Sequence, residues 1–426
     1  MALEDYKKDM MRCVRCSVCK FIPLSSIIKS WRFAYGCPSS MHKNFHAYSG
    51  GGKLILALSF LEGRIGYSPK LLEVIYNCSL CGMCDLACKI GTDLEVWEIL
   101  HEFRKRCFKD GQAPLSGHKP ILDSLKNYDN VWMQPRARRG DWAKGIKVKD
   151  ARKEKVSVLY FAGCTYSYDP NLKEIARKTL SILLQSGVDV GILGNEEKCC
   201  SSPAYMIGDE ETFKKYGEEN IERFNELGIE VLLTSCAGCY GLFKSKYPRL
   251  GKKMNFKVMH SVEYIWNLIN EGRIKPRKSI PLTVTYHDPC HLGRLSEPRI
   301  PSHGKERYEL NTLPIKEVPK VLGLNGVYDP PREILRSIPG VKFVEMERRR
   351  EYSFCCGSGA GARSAFPEFA EMTALERLEE AHSTGANALV TACPWCEKNF
   401  MDANQKFNRD LKIVDIIELL YSSMGG

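Results

Sequence analysis

The number and spacing of the cysteines constrain this chain more than any other feature of its sequence. Nineteen of the 426 residues are cysteines, and two pairs are adjacent, Cys199–Cys200 and Cys355–Cys356. Adjacent Cα atoms across a trans peptide are about 3.8 Å apart, below the usual disulfide range of roughly 4.4–6.8 Å, so a disulfide within a pair would be strained. We therefore expect each pair to bind different atoms of one large inorganic cluster, together with other cysteines.

The composition is that of a globular protein. A length of 426 residues suffices for two or three domains with apolar cores, and 27% charged residues is ordinary for such proteins. The stretch MALEDYKKDMMRC lacks an apolar segment, and the longest apolar run, LILALSFL, is far shorter than the ~20 residues that cross a bilayer. We expect a cytoplasmic protein without direct membrane insertion, with membrane association only through a partner. Thiols stay reduced in that compartment, so metal binding is favoured over a disulfide framework.

The chain has a net charge of +11, and its basic residues are most concentrated in one short stretch. Residues 136–155, RARRGDWAKGIKVKDARKEK, contain nine Lys or Arg against three Asp or Glu. We interpret them as the solvated end of a linker over residues 111–155, which are rich in Pro, Gly and Lys and show little periodicity. A docking strip for an acidic partner subunit is the alternative. No nucleic-acid-binding motif accompanies this charge, so we expect no nucleic-acid partner.

From residue 156 onward the sequence repeats one pattern. The apolar runs VSVLYFAGC and LTVTYHDPC each end at one cysteine, an adjacent pair follows each, and the β-rich runs IEVLLTSCAGC and ANALVTACPWC each end in Cys-x2-Cys. Strand and helix alternate, which predicts a mostly parallel sheet in each half. We expect an α+β fold: a helical amino-terminal domain at 1–110, the linker, and two repeated α/β units at 156–275 and 276–426. The cysteines follow strands, where helix amino termini offer N–H groups to an anionic cluster.

Two bursts of cysteines within residues 1–110 predict two cubane [4Fe–4S] clusters. Three cysteines at two-residue gaps occur in CVRCSVC and again in CSLCGMC, the spacing that wraps a loop around three corners of such a cluster. The fourth cysteine of such a run binds the other cluster. The first quartet is then Cys13, Cys16, Cys19 and Cys88, and the second quartet is Cys78, Cys81, Cys84 and Cys37. Zinc is the alternative, because Cys-x2-Cys pairs also bind it, but three equally spaced cysteines in each burst favour iron–sulfur.

Each repeated unit supplies five cysteines. The first quintet is Cys164, Cys199, Cys200, Cys236 and Cys239, and the second quintet is Cys290, Cys355, Cys356, Cys393 and Cys396. Five thiolates exceed the four of a cubane, so an adjacent pair suits a cluster of uneven geometry in which one thiolate bridges two irons. The quartets and quintets leave only Cys107, in a predicted helix, which we interpret as incidental. Because a linker separates quartets from quintets, we expect the two parts to assemble independently.

The motifs FAGC, SCAGC, YHDPCHLGR, PREILRSIPGVKFVEM, SFCCGSGAG and TACPWC resemble the cysteine-rich CCG domain, found twice in the catalytic subunits of heterodisulfide reductases. The amino-terminal part resembles their ferredoxin-like small subunit, so the whole chain is similar to a fused, D-type subunit. Related chains serve glycolate oxidase, anaerobic glycerol-3-phosphate dehydrogenase and class II benzoyl-CoA reductase complexes. The resemblance implies a noncubane [4Fe–4S] cluster on each quintet. Ser201 replaces the Gly of the motif in CCSSP, so we expect a different local turn and less secure assembly there than at Gly357.

The resemblance implies a heterodisulfide reductase-like oxidoreductase subunit, in which electrons pass from the cubane clusters to the CCG clusters and act on a small disulfide or thiol. No glycine-rich nucleotide motif is present, so flavin- or quinone-linked partner subunits must exchange the electrons. We predict the chemistry at the second quintet, because Gly357 is present there and because His287 and His291 flank Cys290. These histidines offer a hydrogen bond to a cluster sulfur or a proton to a departing thiolate, unless both are structural. The alternatives are a pure electron-transfer relay of a larger complex with no substrate on this chain, and a zinc-stabilised scaffold.

Overall fold

The structure is a computed structural model that describes residues 1–22, 30–92, 94–297, 306–309, 313–316 and 323–426. Its amino-terminal part is helical. The helices are α1 (Lys7–Met11), α2 (Pro38–Lys43), α3 (Gly50–Leu61), α4 (Pro69–Tyr76), α5 (Met83–Gly91) and α6 (Val96–Lys109). The hydroxyls of Ser49 and Ser68 accept hydrogen bonds from the first turns of α3 and α4, which is why these two helices begin there. Cys107 is buried on α6, within the apolar core of this part.

Residues 111–155, predicted as a linker, are instead folded and packed. They contain helix α7 (Lys119–Tyr128) and strand β1 (Lys149–Asp150), which pairs with the first sheet described below. Leu122 and Leu125 are buried one turn apart on α7, and Trp142 is buried against the core of the repeated units. The apolar spacing on α7 is helical, but the surrounding Pro, Gly and Lys residues obscure it in the sequence.

The first repeated unit is a parallel sheet covered by helices. It comprises β2 (Val158–Phe161), α8 (Gly163–Tyr168), α9 (Lys173–Gln185), β3 (Val190–Ile192), α10 (Ser202–Ile207), α11 (Glu210–Glu226), β4 (Val231–Thr234), α12 (Ala237–Ser245), β5 (Lys257–His260) and α13 (Ser261–Asn270). The strand order is β1-β3-β2-β4-β5, and every pairing is parallel. All four residues of the central strand β2 are buried, as expected for a strand with both faces covered.

The second repeated unit has the same architecture with one insertion. It comprises β6 (Leu282–Tyr286), β7 (Glu306–Glu309), β8 (Leu313–Lys316), α14 (Asp329–Ser337), β9 (Val341–Phe343), α15 (Ala362–Ala365), α16 (Pro367–Ser383), β10 (Ala388–Thr391), α17 (Pro394–Lys406), β11 (Lys412–Asp415) and α18 (Ile416–Ser423). The sheet has the order β11-β10-β6-β9 and is parallel, whereas β7 and β8 form a separate antiparallel pair.

The predicted repeat and α+β fold are confirmed. Four strands of each unit have the same spatial order, β3-β2-β4-β5 in the first and β9-β6-β10-β11 in the second. The two units share one apolar core, which includes Tyr160 and Leu233 from the first and Val390 and Phe400 from the second. No helix in the described parts of the chain has both the length and the apolar character that crossing a membrane requires.

Candidate metal centres and their shared cavity

The first quartet lies at the amino terminus of α3. Cys13, Cys16, Cys19 and Cys88 line one cavity, whose volume is about 430 Å³ including the open space at its mouth. The backbone N–H of Gly51 donates to the Cys19 sulfur at 3.2 Å, and a Cβ at Gly51 would lie 3.5 Å from the sulfurs of both Cys13 and Cys19. The positive end of a helix therefore lies against these thiols, and a Cβ at Gly51 would only be in ordinary contact with them. Cys16 is exposed, and Val14 and Val18, which line the same cavity, are also exposed, at 70% and 41%.

The second quartet lies at the amino-terminal end of α5. Cys37, Cys78, Cys81 and Cys84 line a cavity, whose volume is about 350 Å³ including the open space at its mouth. Cys84 and Cys88 are one helical turn apart on α5, yet they face the second and the first quartet respectively. Cys37 directly precedes α2, and Pro38 is the first residue of that helix. The structure therefore brings together the two sets of four that the cross-wired assignment predicts.

The spacing within the quartets suits a cluster better than a single zinc ion. Four thiolates on one zinc, at about 2.3 Å each, would have their sulfurs about 3.8 Å apart. Among the described residues, only His287, Cys356 and Cys396 bring three ligand atoms of this kind within 4.8 Å of one another. The sulfurs of each quartet surround a larger space, as four corners of an iron–sulfur cluster require.

The thiols are also too buried and crowded to ionise together unaided. Burial raises the pKa of Cys37 to about 12 and that of Cys88 to about 11. Contact with the Cys355 thiol lowers the pKa of Cys81 to about 5, and the same thiol holds the pKa of Cys356 well below its ordinary value. Thiolates packed this closely need positive charge among them, which iron ions supply.

The second quartet adjoins the second quintet. The Ser79 hydroxyl lies 3.1 Å from the Cys355 sulfur, and the thiols of Cys81 and Cys355 contact each other. The buried Arg294 donates from Nε to the carbonyl of Cys81 at 2.6 Å and from Nη1 to the carbonyl of Ser353 at 2.7 Å. One guanidinium therefore binds the backbone beside both sites, so the second quartet and the second quintet are in contact, and the independent assembly of quartets and quintets stays a prediction.

The two quintets line a single open cavity. Its volume is about 1110 Å³ including the mouth, and all ten cysteines contribute to its walls: Cys164, Cys199, Cys200, Cys236, Cys239, Cys290, Cys355, Cys356, Cys393 and Cys396. The thiols of Cys236 and Cys393, one from each quintet, contact each other. Each of these two residues follows a central strand and precedes a helix, α12 or α17. The equivalent ends of the two sheets therefore meet at this cavity.

The turns after the two adjacent cysteine pairs have the same conformation. Ser201 has φ +63° and Gly357 has φ +87°, both left-handed. The Ser201 N–H lies 3.3 Å from the Cys199 sulfur, and the Gly357 N–H lies 3.3 Å from the Cys355 sulfur. The expectation of a different local turn at Ser201 is therefore wrong; the serine adopts the conformation that glycine adopts in the second unit.

The two histidines beside Cys290 have different surroundings. His291 is partly exposed and lines the shared cavity, and burial lowers its pKa to about 4. His287 is buried behind the cysteines; its Nδ1 accepts a hydrogen bond from Arg377 Nε at 3.2 Å, so the ring proton is on Nε2. A ring nitrogen of His287 lies within 4.8 Å of the sulfurs of Cys356 and Cys396, and burial lowers the pKa of His287. His291 therefore faces the cavity, whereas His287 faces the second quintet from the protein side.

Sequence reasoning missed the arginines that hold the site together. Arg139 belongs to the basic run predicted to be solvated, but its side chain is 1% exposed and donates to Glu197 at 2.7 Å. Glu197 also accepts from the N–H of Gly163, directly before Cys164. Arg294 and Arg377 are likewise buried. No local pattern distinguishes these three arginines from surface arginines, because their partners are distant in sequence.

Fold and site define a class of protein: a multicentre iron–sulfur protein with a helical two-quartet part and a repeated, cysteine-rich α/β part. Comparison with known families gives the same division. A cysteine-rich domain model, CCG, matches residues 158–244 and 284–401, and a 4Fe-4S dicluster domain model matches residues 9–92.

Curated relatives identify the family. The chain is 34% identical to the D-type subunit of the dihydromethanophenazine:CoB–CoM heterodisulfide reductase of Methanosarcina mazei, over 82% of this chain and 78% of that protein. It is 32% identical to the corresponding D-type protein of Methanosarcina barkeri, over 86% and 82%. It is 28% identical to the EtfAB:quinone oxidoreductase of Syntrophomonas wolfei, over 85% and 48%. The chain belongs to the family of CCG-domain iron–sulfur oxidoreductase proteins that includes the D-type subunits of heterodisulfide reductases.

A solved structure, a hypothetical protein from Helicobacter pylori, superposes with a TM-score of 0.49 and 10% identity, over 89% of this chain and 68% of that one. Similarity at this level carries no argument about function.

Proposed function

We propose that this chain is the subunit of a redox complex that reduces or forms a small disulfide in the cavity shared by the two quintets. The single observation that supports this most is that all ten quintet cysteines line one open cavity. The cavity also extends past the cysteines to His291 and Trp395, which gives a substrate access to clusters held there. A substrate between the quintets would lie against both at once.

The quartets would hold the two cubane [4Fe–4S] clusters, and the quintets the two noncubane clusters. Bound at these sites, the clusters supply one-electron transfer between a partner subunit and the cavity. The protein fixes the spatial sequence in which electrons would pass from one cysteine set to the next. The second quartet contacts the second quintet through Cys81 and Cys355, and the second quintet contacts the first through Cys393 and Cys236. The first quartet, joined to the second by α5, is at the far end of this series.

The far end is also where a partner subunit would exchange electrons. Cys16 is exposed, and the exposed side chains of Met11, Val14 and Val18 lie next to it in the sequence. Apolar side chains around an accessible ligand suit contact with another protein. We assign the flavin- or quinone-linked partner subunit to this surface.

Reduction of a disulfide needs two electrons and two protons: the sulfur–sulfur bond breaks, and each sulfur leaves as a thiol. The partner subunit would supply the electrons. His291 lines the cavity and is partly exposed, so its ring can hydrogen-bond a substrate sulfur and pass a proton from solvent to it. His287 is not among the residues lining the cavity; its Nε2–H is suited to a hydrogen bond with a quintet sulfur, and its role would be positioning.

The second candidate is a pure relay, in which the chain passes electrons onward in a larger complex such as a benzoyl-CoA reductase or a glycolate- or glycerol-3-phosphate-oxidising complex. The similarity to a relative named EtfAB:quinone oxidoreductase favours it. In that case the shared cavity would bind no disulfide.

The two candidates are separated by an assay on the anaerobically purified protein. Reduced methyl viologen serves as the electron donor, and a panel of small disulfides is tested for thiol release. Cys107→Ser is the matched control, because Cys107 is buried outside all four sets. Disulfide-dependent oxidation of the viologen, retained by Cys107→Ser and lost in Cys236→Ser, supports the proposal. Rapid viologen oxidation by a quinone analogue with no thiol released from any disulfide supports the relay.

A further inference from the structure

Buried positive charges are unevenly distributed in this protein. Lys53, Arg104 and Arg294 are 1%, 0% and 3% exposed, yet each described oxygen that accepts a hydrogen bond from them is a carbonyl or a hydroxyl. No described Asp or Glu forms an ion pair with these three side chains, which we call the uncompensated cations. The other buried lysines and arginines in the described parts of the chain each pair with a carboxylate: Lys89, Arg139, Lys246, Arg332, Arg348 and Arg377.

Lys53 reaches the second quartet from helix α3. Its Nζ lies 3.3 Å from the Ser39 hydroxyl, and Ser39 lines the same cavity as Cys37. Burial raises the pKa of Cys37, and the Lys53 ammonium is the neighbouring charge that opposes this effect most. α3 thus contacts the first quartet through Gly51, whereas its buried positive charge acts on the second quartet.

The two arginines reach the second quartet from other elements. Arg104, on α6, donates from Nη2 to the carbonyl of Cys78 at 2.6 Å, and Arg294 donates from Nε to the carbonyl of Cys81 at 2.6 Å. Arg104 Nε and Arg294 Nη2 are buried and have no hydrogen-bond partner within the part of the chain that the structure describes. Burial lowers the pKa of Arg104, whereas at Arg294 the nearby thiols outweigh burial and raise the pKa. Both guanidiniums remain protonated, so both bring a full charge to the second quartet.

The first quartet has no such surplus of buried charge among the described residues. Lys89, which directly follows Cys88, is buried but pairs with both Asp85 and Glu95. A buried charge is stable only where an opposite charge compensates it. Four thiolates that hold one iron–sulfur cluster form an anionic group, so a cluster at the second quartet is the counter-charge that the uncompensated cations need.

We propose that Lys53, Arg104 and Arg294 raise the reduction potential of a cluster at the second quartet above that of a cluster at the first. Reduction by one electron adds negative charge, and a nearby cation in a medium of low dielectric stabilises the more negative state. An electron that a partner subunit delivers to the first quartet then moves to the second: the first site loses one electron and the second gains it. No proton moves with the electron, because the cations keep theirs.

Arg294 also marks the way onward from the second quartet. Its Nη1 donates to the carbonyl of Ser353, two residues before Cys355 of the second quintet, at 2.7 Å. The three cations thus make the second quartet the point where electrons collect before they pass to the quintets. The inference rests on the cluster assignment within the proposed function and is independent of the substrate.

The test is a redox titration of the anaerobic, iron-loaded protein, followed by electron paramagnetic resonance. The signal of the second quartet is the one that Cys81→Ser removes. Lys53→Met removes one charge and keeps the length of the side chain, whereas Arg294→Gln removes another charge and Arg294→Lys keeps it. Lys43→Gln is the matched control, because Lys43 is on α2, which directly follows Cys37, but is 40% exposed and already pairs with a carboxylate. Iron content shows that each variant is loaded.

In the wild type, the second quartet is expected to be reduced at a higher potential than the first. Lys53→Met and Arg294→Gln should each lower the equilibrium constant for its reduction roughly tenfold or more, and tenfold is about 59 mV for one electron. Arg294→Lys should stay close to the wild type because it keeps the charge. Lys43→Gln should also stay close, because water and salt screen an exposed charge.

Three results would contradict the inference. Unchanged potentials in both Lys53→Met and Arg294→Gln, or an equally large shift in Lys43→Gln, overturn the role of the uncompensated cations and leave the proposed function standing. A second quartet that is reduced below the first in the wild type overturns the collection of electrons there. A second quartet that binds no iron overturns the cluster assignment, and the proposed function with it.

Discussion

Replacing Gly357 by alanine should destabilise the second unit, whereas replacing Ser201 by glycine should change stability little. Both residues follow an adjacent cysteine pair and both are left-handed, at φ +87° and φ +63°. A Cβ at Gly357 would lie 2.5 Å from the carbonyl oxygen of Ala370 and 2.9 Å from the Thr373 Cβ. Real Cβ atoms do not approach a backbone oxygen so closely, so α16 would have to shift.

The magnitudes follow from these contacts. The left-handed conformation costs a non-glycine residue about 1–2 kcal/mol, and forcing an extra methyl into a packed site costs about 1–3 kcal/mol. Gly357→Ala should therefore lower the free energy of unfolding of this unit by about 2–5 kcal/mol. At Ser201 a glycine relieves the left-handed strain but adds about 0.5–1 kcal/mol of chain entropy, so the two effects nearly cancel.

Thermal unfolding under anaerobic conditions measures the difference, at one scan rate because cluster loss makes unfolding irreversible. A loss of 1 kcal/mol lowers the midpoint by about 2–4 °C in a domain of 150–250 residues, so Gly357→Ala should lower it by several degrees. Iron content should fall in this variant and stay constant in Ser201→Gly. Equal midpoint shifts in the two variants, or a wild-type midpoint and iron content in Gly357→Ala, would show that the close contacts at Gly357 do not limit stability.

Two further predictions concern the site. His291→Ala should slow thiol release at least tenfold with unchanged iron content and cluster spectra, because the ring lines the cavity. His287→Ala should lose iron from the second quintet, because the substitution leaves Arg377 Nε without its acceptor. Full activity in both variants would exclude these roles. Cys81→Ser should remove about four irons and also alter the spectrum of the cluster at the second quintet, because the Cys81 thiol contacts Cys355. The spectrum is measured by electron paramagnetic resonance, and an unaltered quintet spectrum would show that the two sites are independent.

Sequence pattern was sufficient for the parts of the fold that local spacing determines. Short apolar runs such as VLYF and ALVT form buried central strands, and a cysteine follows each run within three residues, at Cys164 and Cys393. The equal order of cysteines in both halves predicted the repeat, and the two sheets have the same strand order. The grouping of the quartets also agrees with the spacing rule, since α5 presents Cys84 and Cys88 to different sites.

Contacts between segments that are distant in the chain could not be predicted from the sequence. Cys81 meets Cys355 and Cys236 meets Cys393 only because the helical part and the two sheets pack on each other, which no single segment encodes. The packed helix α7 was missed because its apolar residues are few and lie among Pro and Lys. Arg294 has no local signature, since its acceptors are the carbonyls of Cys81 and Ser353. Because of these contacts, the four predicted cysteine sets lie next to one another in a series, and the two quintets at its end line the cavity.

Metal content is the sharpest test of the proposal that two quartets and two quintets of cysteines hold four [4Fe–4S] clusters. Iron, sulfide and zinc are determined on the anaerobically purified chain. We expect about sixteen irons per chain, matched by sulfide, with little zinc. A value of about eight irons would leave the quintets without clusters, and with them the proposed chemistry of the cavity. Zinc as the dominant metal would contradict all four cluster assignments.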